Sequence, residues 1–119
     1  MTKHLFMIIA GASPAETAGP FEKWYVERHM PDVLAVPGFV AAQRFRLAPD
    51  PAASEAPARF LTIYEIEADD PSAVMDEVRR RAGTDAMPLY PGAREKQATT
   101  LFAEAVTDRM VTPPPTSAG

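Results

Sequence analysis

One short stretch of the chain concentrates side chains capable of chemistry: Phe21-Glu22-Lys23-Trp24-Tyr25-Val26-Glu27-Arg28-His29-Met30-Pro31-Asp32. It holds the only tryptophan, one of three tyrosines and one of two histidines. Tyr25 and His29 are four residues apart, so on a helix their side chains are neighbours. Asp32 falls near the same face if the helix persists, although Pro31 leaves its direction open. An imidazole beside a phenol and a carboxylate has the makings of a general base. The competing reading is structural: Trp24 and Tyr25 as core aromatics, and His29 as a buried histidine with its hydrogen bonds satisfied.

The rest of the inventory excludes more than it offers. The chain has no cysteine, which removes thiolate nucleophiles, iron–sulfur clusters, cysteine-ligated zinc and disulfides. Its glycines make neither a P-loop nor a dinucleotide fingerprint. Ser13, Ser54 and Ser72 lie in no nucleophile-elbow pattern. His4 and His29 sit on separate elements without a short ligand spacing, so no metal site is expected. Arg79-Arg80-Arg81 has the look of an anion site. Yet Asp76 and Glu77 stand four residues before Arg80 and Arg81, and the run ends a helix, so it reads as structural.

The elements that must position these residues follow from composition and period. In 119 residues with 46% hydrophobic side chains, one domain is expected at residues 1–111. The proline-rich tail at 112–119 has no core-forming pattern and is expected to be disordered. A net charge of −4 argues against a nucleic-acid partner. No apolar run approaches the roughly 20 residues of a membrane span. Residues 1–18 faintly imitate a secretory signal, but their apolar part is short and reads better as a first strand, so the cytoplasm is the expected location.

Leu5-Phe6-Met7-Ile8-Ile9-Ala10 is a continuous apolar run, as in a central strand covered on both sides. Residues 11–19 read as a loop. Residues 20–30 read as a helix with Pro20 in its first turn. Pro31 pushes Met30 off the helical region, and a kink or a fresh short turn follows. Residues 39–47 alternate, with Phe39, Ala41, Gln43, Phe45 and Leu47 opposed to Val40, Ala42, Arg44 and Arg46. After a proline-rich linker, residues 59–68 alternate again, with Phe60, Thr62, Tyr64 and Ile66 on one side. Asp70 caps a second helix that opens on Pro71, carries Val74, Met75, Val78 and Ala82 as its apolar stripe, and stops at Gly83. Residues 84–94 form a loop and 95–106 the last strand. The order βαββαβ predicts an α+β, ferredoxin-like fold with a four-stranded antiparallel sheet. Both helices lie on one face, and the bare face calls for a second copy of the chain, making a homodimer through the sheet.

The pattern Phe21-x-x-Trp24-Tyr25-x-x-x-His29-x-Pro31-Asp32-x-Leu34-x-x-Pro37-Gly38-Phe39 resembles the EthD-like branch of the dimeric α+β-barrel superfamily. The resemblance extends through Arg44-Phe45-Arg46-Leu47, Ile63-Tyr64-Glu65-Ile66 and Asp69-Asp70-Pro71, and covers most of residues 4–106. It implies a dimer, a cavity between helices and sheet, and small cofactor-free enzymes such as polyketide cyclases, lactone isomerases, oxygenases of activated aromatics and dehydratases. Carried onto this chain, it singles out His29 as general acid/base on a hydrophobic, aromatic or lactone-like molecule. Tyr25 or Tyr64 would bind a developing oxyanion, and Asp32 would orient the imidazole. Phe21 and Trp24 would form apolar walls, and Arg44 would anchor a substrate carboxylate. The alternative is a non-catalytic dimeric module that binds a small ligand or accompanies a pathway enzyme.

Overall fold

The computed structural model describes residues 2–11, 15–48, 59–90 and 98–114. Strands β1 (Lys3–Gly11), β2 (Phe39–Arg46), β3 (Arg59–Glu67) and β4 (Ala98–Glu104) form one sheet in the order β2-β3-β1-β4. Every neighbouring pair is antiparallel. The helical segments are α1 (Ala15–Trp24), a π-helical turn at Tyr25–His29, α2 (Met30–Leu34) and α3 (Pro71–Arg81). This is the expected α+β, ferredoxin-like βαββαβ arrangement. Of the expected tail, residues 112–114 are exposed and carry no helix or strand, and 115–119 lie outside the described residues. The linker at 49–58 and residues 95–97 of the expected last strand also lie outside them.

The first helix departs from its sequence reading at both ends. It begins at Ala15, not at Pro20, which lies inside α1. Ala15, Glu16 and Ala18 come from strongly helix-forming residue types. Pro20 stands in the second turn, where it removes one backbone hydrogen bond and its ring presses on the carbonyl four residues back, at a cost to the helix. At the other end Met30 keeps helical angles, φ −61° and ψ −45°, and the helix runs through Pro31 to Leu34. The π-helical turn explains this. The Met30 N–H donates to the Tyr25 carbonyl, five residues back. The widened turn relieves the clash that a proline ring makes with the carbonyl four residues earlier.

β2 also departs from simple alternation. Phe39 pairs with Ile66 and Ala41 with Glu65, so the register shifts between them and Val40 is the extra residue of a bulge. Phe39 therefore joins Ala42 and Arg44 on the helix-covered face, not Ala41 and Gln43. Thr62, Tyr64 and Ile66 of β3 are buried on that face, where Phe6 and Ile8 of β1 stand opposite Tyr64 and Thr62. Leu5, Met7 and Ile9 point to the other face. Among the described residues of one chain, β1 is thus covered on one side only.

The core joins Met30, Val33 and Val36 to Phe39, Tyr64 and Ile66 of the sheet and to Val74, Met75 and Met87. Asp70 accepts from the Ser72 and Ala73 amides and caps α3 as expected. Ala82, expected on the apolar stripe, is exposed just past the last turn, and Gly83 follows with φ +84°. The arginine run is consumed structurally, with Asp76 holding Arg79 and Glu77 holding both Arg80 and Arg81.

Candidate functional site

The π-helical turn and the two edge-side strands β2 and β3 bring one polar cluster together. His29 lies against Trp24 with ring centroids 5.2 Å apart and planes 24° apart, and against Tyr25 at 5.0 Å. The Arg44 guanidinium covers the Tyr25 ring, 4.1 Å from its centroid, and lies 4.7 Å from that of Phe60. Arg44 donates to Glu22 twice, through Nε at 2.8 Å and Nη2 at 2.6 Å, and through Nη1 to Thr62 Oγ1 at 2.8 Å. The last contact follows from register, because Arg44 stands opposite Thr62 across the β2–β3 pair. Tyr64, two residues on along β3, is completely buried.

Two polar atoms in this region are sealed from water: His29 Nδ1, which has no hydrogen-bond partner among the described residues, and the Tyr64 hydroxyl, which has the Tyr25 phenol beside it. Buried polar groups are nearly always paired, and an orphan costs roughly 1–3 kcal/mol. Burial is the main force on both. It lowers the His29 pKa, with Arg44 acting in the same direction and Asp32 opposing. It raises the Tyr64 pKa, with neighbouring Tyr25 adding to the effect and Arg44 opposing. At neutral pH this gives an uncharged imidazole and a protonated phenol.

The sequence-derived residues are placed as follows. Tyr25, His29, Arg44 and Tyr64 meet in this cluster. Phe21 and Trp24 form an aromatic wall beside it, with Tyr90 completing it 5.3 Å from Phe21 and 5.2 Å from Trp24. Asp32 does not orient the imidazole by a hydrogen bond. It accepts from Arg28 Nε at 2.7 Å, while Arg28 Nη2 donates to the Asp85 carbonyl. Arg28, one turn before Asp32, takes its carboxylate instead. Arg44 is not a free anchor, since Glu22 already engages it. Glu22, Thr62 and Tyr90 escaped the sequence reading. Glu22 precedes Tyr25 by one helical turn, and Thr62 shares the alternating face of Tyr64, so both carried a local signal. Tyr90 sits in a loop and carried none.

Among the described residues no three His, Cys, Asp or Glu side chains gather as a metal site, and no helix is long and apolar enough to cross a membrane.

Two helices on one face of a β2-β3-β1-β4 antiparallel sheet define a ferredoxin-like protein. The solved structures bear the fold out. A dimeric ferredoxin-like protein from an uncultured marine organism matches with a TM-score of 0.63 at 14% identity, over 92% of this chain and 100% of that one. An ethyl tert-butyl ether D (EthD) family protein from Bacillus halodurans matches with a TM-score of 0.55 at 19% identity, over 89% and 100%. The heme-degrader MhuD from Mycobacterium tuberculosis, a structure with two hemes bound in its active site, matches at 0.50 with 24% identity, over 89% and 99%. No family profile matches the chain, and no curated protein matches it. The likeness is one of fold, the same fold that the EthD-like resemblance implied.

Proposed function

We propose that the protein is a small dimeric enzyme in which His29 moves a proton on a hydrophobic small molecule seated between the first helix and the sheet. One observation carries this reading: His29, held uncharged by burial and with its Nδ1 unpartnered, lies against Tyr25, whose ring is covered by the Arg44 guanidinium. An unpaired buried acceptor forfeits stability, which a molecule admitted beside His29 would recover.

The chemistry follows from the protonation states. A neutral imidazole, held so by burial, can accept a proton from an acidic C–H or O–H. The electron pair left behind moves onto an adjacent carbonyl oxygen. The paired phenols of Tyr25 and Tyr64, the latter kept protonated by burial, supply the hydrogen bond to that developing oxyanion. His29 then returns the proton at another atom, an isomerisation. If the electron pair instead attacks a second carbonyl of the same molecule, whose oxygen takes the proton, the outcome is a cyclisation. If it expels a β-leaving group, which takes the proton, the outcome is that of a lyase. Phe21, Trp24 and Tyr90 supply a flat aromatic wall for the substrate body. A heme-degrader with this fold shows that the fold can accept a flat conjugated molecule. The second copy would cover the open sheet face, and one protein of this fold is described as dimeric.

The packing of His29 between two rings also suits a binding module without turnover, and one experiment separates the two. Lactones and hydroxyaryl ketones are incubated with the protein in heavy water, and exchange of their acidic C–H is followed by NMR. An enzyme accelerates exchange, and His29→Gln lowers the rate by about 10²–10⁴-fold, since Gln cannot take the proton. Exchange that survives His29→Gln unchanged, or binding without exchange, leaves the module.

A further inference from the structure

We infer that residues 106–111, which follow β4, are a clasp for the second copy of the chain: Val106, Met110 and Val111 are anchors that the open sheet face of the other copy buries. The inference rests on the dimer through that face and goes beyond it, because it assigns to the interface a segment that belongs to no helix or strand.

β4 ends at Glu104, and the Ala105 amide still donates to the Lys3 carbonyl at 2.9 Å. Residues 106–114 then carry neither helix nor strand, and no backbone hydrogen bond among the described residues holds them. The chain bends and passes over one end of the open face. Residues 105–109 line a hollow there with Thr2, Lys3 and Glu67. Arg109 also borders the depression between Leu5, Phe45, Ile63 and Glu65. The segment thus lies on the open face without burying its own apolar groups: Val106 is 91% exposed, Met110 82% and Val111 62%.

Single exposed apolar side chains are ordinary on a protein surface. Three within six residues, beside an apolar sheet face, enlarge one patch. The character of the chain then changes abruptly. From Thr112 to Gly119 there is no Val, Ile, Leu, Met or aromatic residue. A tail that merely trailed from β4 would need no such boundary. Six extended residues reach roughly 20 Å, about the width of four strands spaced roughly 4.8 Å apart. The apolar stretch is therefore as long as a sheet is wide.

A second copy is the occupant because the face that needs covering and the arm able to cover it lie side by side on one surface. A twofold axis through that surface satisfies both, since each arm meets the face of the other copy and every contact forms twice. Met110 is the central anchor. It follows Arg109 at the edge of the depression of about 350 Å³, and a flexible thioether fills an irregular hollow well.

The test measures dimer dissociation by sedimentation over a dilution series. It compares the wild type with Met110→Asp, with Thr112→Asp and with chains ending at Val111 or at Ala105. Met110 is exposed in a single chain, so Met110→Asp should leave the protomer folded, which circular dichroism checks. Met110→Asp and the chain ending at Ala105 should each raise the dissociation constant by at least about 100-fold, because each lost contact is lost twice. Thr112→Asp and the chain ending at Val111 should leave it within about twofold of the wild type. If the shortest chain fails to fold, Met110→Asp decides alone. A dissociation constant that Met110→Asp leaves unchanged overturns the clasp, and so does an equal weakening by Thr112→Asp or by ending the chain at Val111. In each of these cases the dimer itself stands. A wild type that stays monomeric overturns the clasp together with the dimer.

Discussion

His29 is where burial and protonation meet, and that link can be measured without a substrate. Its folded pKa is lowered, chiefly by desolvation, so below the ordinary imidazole value of about 6.5 the unfolded chain binds the proton that the folded chain refuses. The stability contributed by a neutral His29 is fully present above that value and is lost as pH falls toward the lowered one. His29→Gln cannot titrate, so the wild type should lose stability relative to this variant as the pH drops below about 6.5. Melting curves across the acid range check this, and parallel curves would mean that His29 titrates normally. Trp24 offers a second readout, being the only tryptophan and stacked on the imidazole. An imidazolium quenches a stacked indole, so Trp24 emission should titrate with a midpoint below the ordinary value and become flat in His29→Gln. His29→Ala forfeits two ring contacts, about 0.5–1.5 kcal/mol each, but no hydrogen bond at Nδ1.

The elements hold the site through a few close approaches, of which the turn before β2 is the most demanding. Gly38 has φ +106°, and a Cβ there would lie 2.6 Å from Cγ2 of Val74 on α3. Gly38→Ala meets both a left-handed backbone penalty and a clash in the core, so it should cost about 2 kcal/mol or more. Adding Val74→Ala removes the clash but not the backbone strain. The double variant should therefore be less damaged than the sum of its parts, a non-additivity that melting of all three variants measures. This turn was legible as Pro37-Gly38 punctuation, and so were the strands, because alternation and apolar runs are local signals. The bulge at Val40 was not, since only its pairing with β3 displaces it. Nor was the π-helical turn, which needs the hydrogen bond from Met30 back to Tyr25. The same division runs through the site. Tyr25, His29, Arg44 and Tyr64 could be nominated from residue type and spacing. The capture of Arg44 by Glu22 could not, because carboxylates on several elements compete and three-dimensional distance decides among them; that of Asp32 by Arg28 carried an i,i+4 signal, which the expected break at Pro31 hid.

Among the described residues, one sheet face is packed by helices and the other is not. Leu5 and Met7 of β1, Ile63 of β3, Phe45 of β2 and Leu101 of β4 share the open face by register. Phe45 is 39% and Leu101 46% exposed in the single chain. A depression of about 350 Å³ between Leu5, Phe45, Ile63, Glu65 and Arg109 breaks that surface and could receive a side chain from outside. A face of this kind, apolar apart from Gln43, Thr99 and the Lys3–Glu65 ion pair, is unfavourable on a monomer and favours association of two copies about a twofold axis. Sedimentation at micromolar concentration should therefore return twice the mass of the chain. Phe45→Asp tests the route. Phe45 is already exposed in one chain, so the substitution should leave the protomer folded. In a dimer it would bury two unpaired carboxylates, at a cost of several kcal/mol. The variant should sediment as a monomer with an unchanged circular dichroism spectrum, and a wild type that is itself monomeric would show that the open face serves another purpose. The consequence reaches the site, because Thr62 and Tyr64 alternate with Ile63 along β3. A dimer that stiffens the open face also fixes the strand from which Tyr64 and the Arg44 partner project, so Phe45→Asp should weaken ligand binding without touching a residue of the cluster.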